Sequence, residues 1–244
     1  MLAREQKLSH DLQQISFPTS IEYIYTPLEY ARETHAMYVR KYCTTTKKIL
    51  FVGMNPGPWG MSQTGIPFGE INIVRDWLKI SGPVGKPSKE HPKRKIQGFN
   101  GTRSDISGRR LWSLFRDLCK SPENFFRVAY VYNYCPIAFM DNKGRNITPV
   151  EIKGEEQKRL QNACDAALQD IIQLLKVKIV VGIGIYAEKR AQHVVQTGGL
   201  LVQVRGIRHP SLKVMNNHKW LEATRQRLNT LNLLKYFRQI SPNP

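Results

Sequence analysis

The stretch KILFVGMNPGPWGMSQTGIPFG, residues 48–69, decides the fold of the chain. It opens with an apolar run at residues 49–52, whose length and side chains are typical of a buried parallel strand. Gly53 ends that strand, and the prolines and glycines at residues 56–60 force an irregular loop. Loops at the carboxyl ends of parallel strands line the ligand crevice of an open sheet, so we expect Asn55 to face a ligand.

Three more buried strands are predicted, at residues 125–132, 177–183 and 200–204. Segments with helical periodicity lie before, between and after them. The predicted helices are one from Pro27, one over residues 71–80, one capped by Ser107, one from a capping box at Thr148 and Glu151 to about Leu175, one over residues 186–198 and one over residues 219–236.

The length of 244 residues allows one full core, and no long linker divides the chain. We therefore expect a single domain, residues 1–244, in which residues 1–47 form a helical amino-terminal extension without chemistry.

The charge of the chain points to a polyanionic partner. The formal net charge is +18, and such an excess usually serves phosphate contact and counterion release. The excess is uneven, because residues 189–221 contain six Lys and Arg and no Asp or Glu. We therefore favour nucleic acid over the alternative of a basic surface that only aids solubility.

The four cysteines indicate neither a metal nor a disulfide framework. They lie far apart without a CxxC pair, so we expect free thiols, no metal and no cofactor. The amino terminus is too polar for a signal peptide, and no apolar run reaches the length of a membrane span. We expect a soluble, intracellular protein.

One motif suggests a cofactor and is rejected. Gly182, Gly184 and Ala187 match a dinucleotide fingerprint, but that fingerprint needs an acidic residue about 20 positions later. No Asp or Glu occurs there. We interpret the glycines as a tight turn between strand and helix.

Two further predicted strands also end at polar side chains. Asn133 follows the second strand, and its carboxamide offers the donor and acceptor needed to recognise the O4 and N3 edge of uracil. His209 follows the fourth strand, inside the acid-free basic stretch, which favours a catalytic histidine over a structural one. His218 is the alternative imidazole, and we expect it to cap the last helix. His91 is expected to be a solvated loop residue.

Together these loops resemble the single-strand-selective monofunctional uracil-DNA glycosylases, within the wider uracil-DNA glycosylase superfamily. The resemblance covers about residues 20–236 and follows the family's order. Its motifs are GMNPGPWGMSQTGIPFG from Gly53, EHPKRK from Glu90, YNYCP from Tyr132, GRNITP from Gly144 and HPS from His209. The resemblance implies an α/β fold of three layers, with a central four-stranded parallel sheet between helices.

The resemblance also implies a role for each matched residue. Asn55 positions the attacking water, and His209 stabilises charge on O2 of the departing uracil. Asn133 reads the base, Phe68 stacks on it, and the backbone at Met54 and Gly57 borders it. Met61 belongs to the wall beside the C5 edge.

The expected DNA contacts come from two segments: Lys143, Arg145, Asn146 and Thr148, and the loop of Ser211, Leu212, Lys213, Val214 and Met215. A helix amino terminus near Thr148 attracts phosphate. The apolar residues of the second segment are typical of a wedge that enters a base stack, or of residues packed under the loop. The family commonly has Pro-Arg-Asn-Pro where this chain has residues 212–215.

The expected activity is hydrolysis of uracil and 5-substituted uracils such as 5-hydroxymethyluracil from single- and double-stranded DNA. Among the matched pocket residues there is no lysine to attack the sugar, which fits monofunctional hydrolysis. Two alternatives stay open: a catalytically silent nucleic-acid-binding module of the same fold, and a superfamily glycosylase for deaminated purines. The resemblance further implies a nuclear protein, and we expect a monomer.

Overall fold

The computed structural model describes residues 1–212 and 214–237. The strands are β1 Tyr23–Tyr25, β2 Ile49–Gly53, β3 Ala129–Asn133, β4 Ala138–Met140, β5 Asn146–Ile147, β6 Ile179–Ile183 and β7 Gln203–Ile207. The α-helices are α1 Leu2–Gln13, α2 Pro27–Tyr30, α3 Arg32–Tyr42, α4 Met61–Thr64, α5 Ile71–Asp76, α6 Ile106–Cys119, α7 Pro122–Phe126, α8 Gly154–Leu174, α9 Ile185–Thr197 and α10 Trp220–Thr230.

A four-stranded parallel sheet occupies the centre, in the order β3-β2-β6-β7. Every residue of β2, β3 and β6 is buried, because helices cover both faces of the sheet. Helix α8 packs against α1 and α9, while α6 packs against α7 and α10. The predicted three-layer α/β fold with this sheet is confirmed.

The last strand was predicted three residues too early. Residues 200–202 form the connection that follows α9, and Leu201 in it is 98% exposed. Pairing with β6 begins only at Gln203, which lies opposite Ile179. The apolar sequence of this connection resembled a strand, but it has no strand partner.

Two helix starts were also misplaced. Asp105 caps α6, with its carboxylate accepting from the Gly108 amide at 3.0 Å, and Ser107 lies inside the helix. Thr148 and Glu151 form only one of the two bonds of a capping box, from the Thr148 amide to the Glu151 carboxylate at 2.8 Å, and they close an isolated turn. Helix α8 begins only at Gly154, so the predicted phosphate-attracting helix terminus at Thr148 is wrong.

Other helices are shorter than predicted. The helix over residues 71–80 ends at Asp76, and the helix from Pro27 is divided at Ala31 into α2 and α3. The last one ends at Thr230 and is followed by a 3-10 turn, Leu234–Tyr236.

A small antiparallel sheet was not predicted. It has the order β1-β4-β5, with Tyr23 opposite Met140 and Met140 opposite Asn146. Strand β1 belongs to the amino-terminal extension, so that extension supports the turn between β4 and β5 as well as packing on the core.

A buried histidine of the extension, ion-paired with Glu5 of the same extension, also contacts the loop after β2. His35 bonds Glu5 at 2.9 Å through Nε2 and the carbonyl of Gly65 at 2.8 Å through Nδ1. Burial lowers the pKa of His35, but Glu5 and the carbonyl outweigh it and the net pKa is raised. Both ring nitrogens therefore act as donors.

Within the described residues, no helix is both long and apolar enough to cross a membrane.

Candidate active site

A cleft of about 970 Å³ lies at the carboxyl ends of the parallel strands. Asn55 follows β2, Asn133 ends β3, and His209 follows β7, so three separate strand ends bring these side chains to one place. The residues predicted for the base pocket that line the cleft are Met54, Asn55, Gly57, Phe68, Asn133 and His209.

The junction between β2 and β3 requires a glycine. Gly53 lies opposite Asn133 in the sheet. A Cβ at Gly53 would lie 2.3 Å from Asn133 Oδ1 and 2.6 Å from the Phe68 ring. The missing side chain therefore makes room for the amide and the aromatic ring over the strand end.

Asn133 has an unpaired acceptor beside this cleft. Its side chain is buried, and Oδ1 has no hydrogen-bond partner within residues 1–212 and 214–237. Its Nδ2 lies 3.2 Å from Met61 Sδ. Met61 thus lies behind Asn133 and is not among the residues that line the cleft. A buried carboxamide without a partner is costly unless a ligand completes its bonds.

Asn55 is held by its loop rather than by its own side chain. The amide of Cys135 donates to the Met54 carbonyl at 2.9 Å, and the Tyr134 amide donates to Gly53 at 2.9 Å. The Asn55 amide makes one long contact, from Nδ2 to the Ile137 carbonyl at 3.4 Å. Its oxygen is therefore available to accept a hydrogen bond from a water molecule.

The imidazole of His209 is neutral in a defined tautomer. The backbone amide of Ser211 donates to Nδ1 at 3.1 Å, so Nδ1 is an acceptor and the proton lies on Nε2. Burial lowers the pKa of His209 to about 4. Its ring centroid is 6.0 Å from that of Phe68. The site thus contains an uncharged N–H donor beside the aromatic wall.

Two side chains hold the His209 backbone, one from within the same loop and one from α6. Asn217 Nδ2 donates to the carbonyls of His209 at 2.9 Å and Ser211 at 2.7 Å. Arg110 donates to the carbonyls of Pro210 at 3.0 Å and Asn217 at 3.1 Å. Asn217 and Arg110 were not predicted, because a residue that orients a loop through its backbone has no motif of its own.

Asp105 is a further unpredicted residue of the cleft. Burial, with a smaller contribution from nearby Glu70, raises the pKa of its carboxyl to about 6. The signal in the sequence was present, since an aspartate before an apolar helix is a good N-cap, but Ser107 competed for that role.

The first predicted DNA-contact segment lines the cleft through Lys143, Arg145, Asn146 and Thr148. Arg145 is already engaged by acidic groups, with Asp141 at 3.2 Å and with Glu151 in a close ion pair. Its charge is therefore largely offset by Asp141 and Glu151.

The residues of the second predicted DNA-contact segment, 211–215, lie in different places. Ser211 and Leu212 line the cleft, whereas Val214 lies in a separate pocket against α9 and α10. Met215 is 81% exposed and does not line the cleft. Lys213 lies outside the described residues.

His91 is buried rather than solvated, contrary to the prediction. Its Nδ1 accepts from the Lys93 amide at 3.0 Å, and its Nε2 bonds the Asn142 carbonyl at 3.1 Å. The ring packs against Gly144, whose φ of +77° suits glycine. His91 therefore fixes the turn between β4 and β5 at the rim of the cleft.

Among the described residues, no group of three or more His, Cys, Asp or Glu side chains is arranged to hold a metal ion.

Comparisons with known proteins agree with this architecture. The single-strand selective monofunctional uracil DNA glycosylase of Mus musculus is 47% identical over 234 residues, which are 96% of this chain and 84% of the mouse protein. The Bos taurus protein of the same name is 46% identical and covers 96% of this chain and 86% of its own. The crystal structure of wild-type Pedobacter heparinus SMUG2 matches with a TM-score of 0.62, covering 94% of this chain and 97% of that one. Its 17% identity supports the fold alone.

A family model described as the uracil DNA glycosylase superfamily matches residues 40–235. That range includes β2, β3 and β7 with the three side chains that follow or end them. The chain belongs to the uracil DNA glycosylase superfamily.

Proposed function

We propose that this chain is a monofunctional base-excision repair glycosylase for uracil and 5-substituted uracils such as 5-hydroxymethyluracil. It hydrolyses the N-glycosidic bond in single- and double-stranded DNA and leaves an abasic site. The observation that supports this most is the meeting of Asn55, Asn133 and His209 in one cleft. Its family makes the chain a uracil-DNA glycosylase, a hydrolase of N-glycosyl bonds.

The proposed reaction stabilises the leaving group. When the bond from C1′ to N1 breaks, its electron pair goes to the uracil ring and the sugar becomes cation-like. Nε2–H of His209 donates to O2, where negative charge develops. A neutral imidazole suits this role, because it donates without first taking up a proton, and the pKa near 4 keeps it neutral at pH 7.

Water completes the reaction at C1′. Asn55 Oδ1 accepts a hydrogen bond from that water and fixes its position, but an amide does not take its proton. This device is weaker than a carboxylate base, and it fits a reaction in which the departing anion carries most of the catalysis. As the oxygen bonds to C1′, the proton of the water is lost to solvent or to the departing uracil anion, which leaves neutral uracil and the abasic sugar.

Phe68 forms the stacking wall in this proposal. It has a φ of +54°, which is strained for a residue with a Cβ, and its side chain is held between β2 and the cleft. Strain of this kind persists where the surroundings fix it and often marks a functional site.

The basic chain and the basic cleft rim support DNA as partner. Extrusion of a base costs a few kcal/mol in duplex DNA and less in single strands, so unpaired uracil is the easier substrate. Thymine is excluded by crowding at its methyl group, while a hydroxymethyl group needs a polar partner or a water site. The protein is proposed to act in the nucleus, as a monomer and a single domain.

The base-reading role of Asn133 predicts a change in selectivity. Asn133→Asp lets the carboxylate accept from the cytosine amino group, so release of cytosine relative to uracil should rise. Competition between uracil and cytosine oligonucleotides measures that ratio. An Asn133→Asp protein that rejects cytosine as strictly as the wild type would remove the role.

One substrate panel tests the proposed function. Single-stranded oligonucleotides carrying uracil, 5-hydroxymethyluracil, hypoxanthine or xanthine are incubated with the protein, and abasic sites are measured. We expect release of the two pyrimidines. Release of purines alone would favour the deaminated-purine enzyme, and binding without any base release would favour the silent module.

A further inference from the structure

Three side chains that the proposed mechanism does not use form a cluster on the rim of the cleft. The indole of Trp59 has the guanidinium carbons of Arg94 and Arg103 at 5.3 Å and 4.6 Å from its ring. Trp59 and Arg94 line the cleft, and Arg103 stands beside them. We propose that Trp59, Arg94 and Arg103, the Trp59 cluster, bind backbone phosphates of the DNA strand next to the flipped uracil. This inference rests on the proposed function, which supplies DNA as the substrate.

The cluster differs from Arg145 in the charge that it offers. Within the described residues, neither Arg94 nor Arg103 forms an ion pair with a carboxylate, whereas Arg145 has two acidic partners. Arg94 donates to the carbonyls of Gly144 at 2.9 Å and Lys93 at 3.3 Å. Carbonyl partners orient the guanidinium without cancelling its charge, so both charges of the cluster remain available to an anion.

The indole of Trp59 orients the guanidinium groups of Arg94 and Arg103. A guanidinium over an aromatic ring is attracted through its face, which leaves its in-plane N–H groups for other acceptors. In Arg94 two of those groups already bond carbonyls, so its remaining N–H groups and those of Arg103 are left for a phosphate. Those groups match the oxygens of a phosphate. Since Trp59 orients the guanidiniums before DNA arrives, less side-chain entropy is lost on binding.

The position of the cluster favours a nucleic-acid strand as its partner. A base that enters the cleft brings its own flanking phosphates to the rim. Arg94 links the loop that carries Trp59 to the turn at Gly144, and exposed Lys143 in that turn also lines the cleft. The cations thus extend along the rim, as in proteins that follow a single-stranded backbone.

Binding as a function of salt tests the proposal. Single-stranded oligonucleotides with a non-cleavable 2′-fluoro analogue of deoxyuridine are titrated with wild type, Arg103→Gln, Trp59→Phe and Trp59→Leu proteins. For Arg103→Gln we expect Kd to rise several-fold and the slope of log Kd against log salt to fall by about 0.7–1. Trp59→Leu should weaken binding more than Trp59→Phe, since only the latter keeps an aromatic face.

Matched controls separate this effect from a general loss of charge or aromatic area. Arg116→Gln removes an exposed arginine from the far end of α6, and Trp77→Phe changes another partly buried indole. Both should keep the wild-type salt slope.

Neutral backbone linkages locate the contact. Methylphosphonate is placed at one linkage at a time on either side of the analogue. The wild type should lose affinity at a particular linkage, and Arg103→Gln should be insensitive at that same linkage.

Several results would overturn the inference. Equal slopes for Arg103→Gln and Arg116→Gln would do so, as would a loss of affinity with an unchanged slope, which indicates packing alone. If Trp59→Leu does not fold, the salt slope of Arg103→Gln still tests the inference, because Arg103 is exposed. If the wild type releases uracil and Arg103→Gln binds DNA as tightly as the wild type, only this inference is contradicted. If the wild type binds DNA through the Trp59 cluster but releases no base, only the proposed function is contradicted.

Discussion

The two sides of the cleft are held in different ways. The side made by the loop after β2 and the end of β3 is fixed by backbone bonds between neighbouring strands and by close packing at Gly53. The side made by residues 209–217 is held by the side chains of Asn217 and Arg110. Its outer part is exposed, with Leu212 at 52% and Met215 at 81%.

Across both sides, the groups proposed for base chemistry lie nearer to the sheet than those proposed for DNA contact. Asn55, Asn133 and His209, which are proposed to meet one small base, lie within two residues of a strand end, where the sheet fixes their spacing. Groups expected to meet a variable strand lie on loops, which tolerate change. The segment in which we expect this chain to depart from its family, residues 212–215, belongs to the second kind.

The largest expected effect concerns the groups at the strand ends. Asn55→Ala and His209→Ala should each lower the single-turnover rate of uracil release by roughly 10²–10³-fold, the usual cost of removing one stabilising donor. Thermal unfolding should change little, because neither side chain packs in the core. Base release at the wild-type rate by either folded variant would contradict the mechanism.

A smaller loss of activity is expected when a side chain is added at Gly53, where β2 meets the end of β3. Gly53→Ala places a methyl group against Asn133 and Phe68, so it should destabilise the protein by about 1–3 kcal/mol. Uracil release should fall with it. The control is Gly82→Ala, whose new Cβ would lie 3.3 Å from a methyl of Thr34 and 3.6 Å from the flexible end of the Met37 side chain. Similar activity and denaturation midpoints for the two variants would show that the junction is not tightly packed.

The carboxyl of Asp105 predicts a dependence of stability on pH. Its folded pKa of about 6 lies above the ordinary value of 3.8, so the folded state binds its proton more tightly and stability falls as pH rises from 4 to 6. Asp105→Asn removes that ionisation and should be about 1 kcal/mol more stable at pH 7. Urea denaturation at pH 4.5 and pH 7 measures both proteins. An equal pH dependence in the two would refute the shift.

The smallest effect is expected at the exposed loop. Leu212→Ser and Met215→Ser should lower the release of uracil from duplex DNA a few-fold and leave release from single strands unchanged, because a wedge acts only on a base stack. Paired assays on the two substrates give the ratio. An equal loss on both would indicate that the residues serve the fold or general binding.

Features of the fold that depend on the local pattern of residues could be predicted from the sequence. The apolar run at residues 49–52 predicted the buried strand β2, and the loop after it predicted that Asn55 faces a ligand. Asn133 and His209 were predicted as site residues in the same way, because each follows a predicted strand. The resemblance added Phe68, which no periodicity indicates.

Other features depend on contacts between distant segments. Strands of two or three residues, such as β5, show no alternation, so the small sheet was missed. The Trp59 cluster joins three loops, and the role of Asn217 is visible only through the carbonyls that it bonds.

The most direct test of the central claim is a crystal structure of the Asn55→Ala protein with uracil bound. The account predicts the base against Phe68, with His209 Nε2 within about 3.2 Å of O2 and the Asn133 amide within the same reach of N3 or O4. Uracil held elsewhere, or in this cleft without contact to both Asn133 and His209, would contradict it.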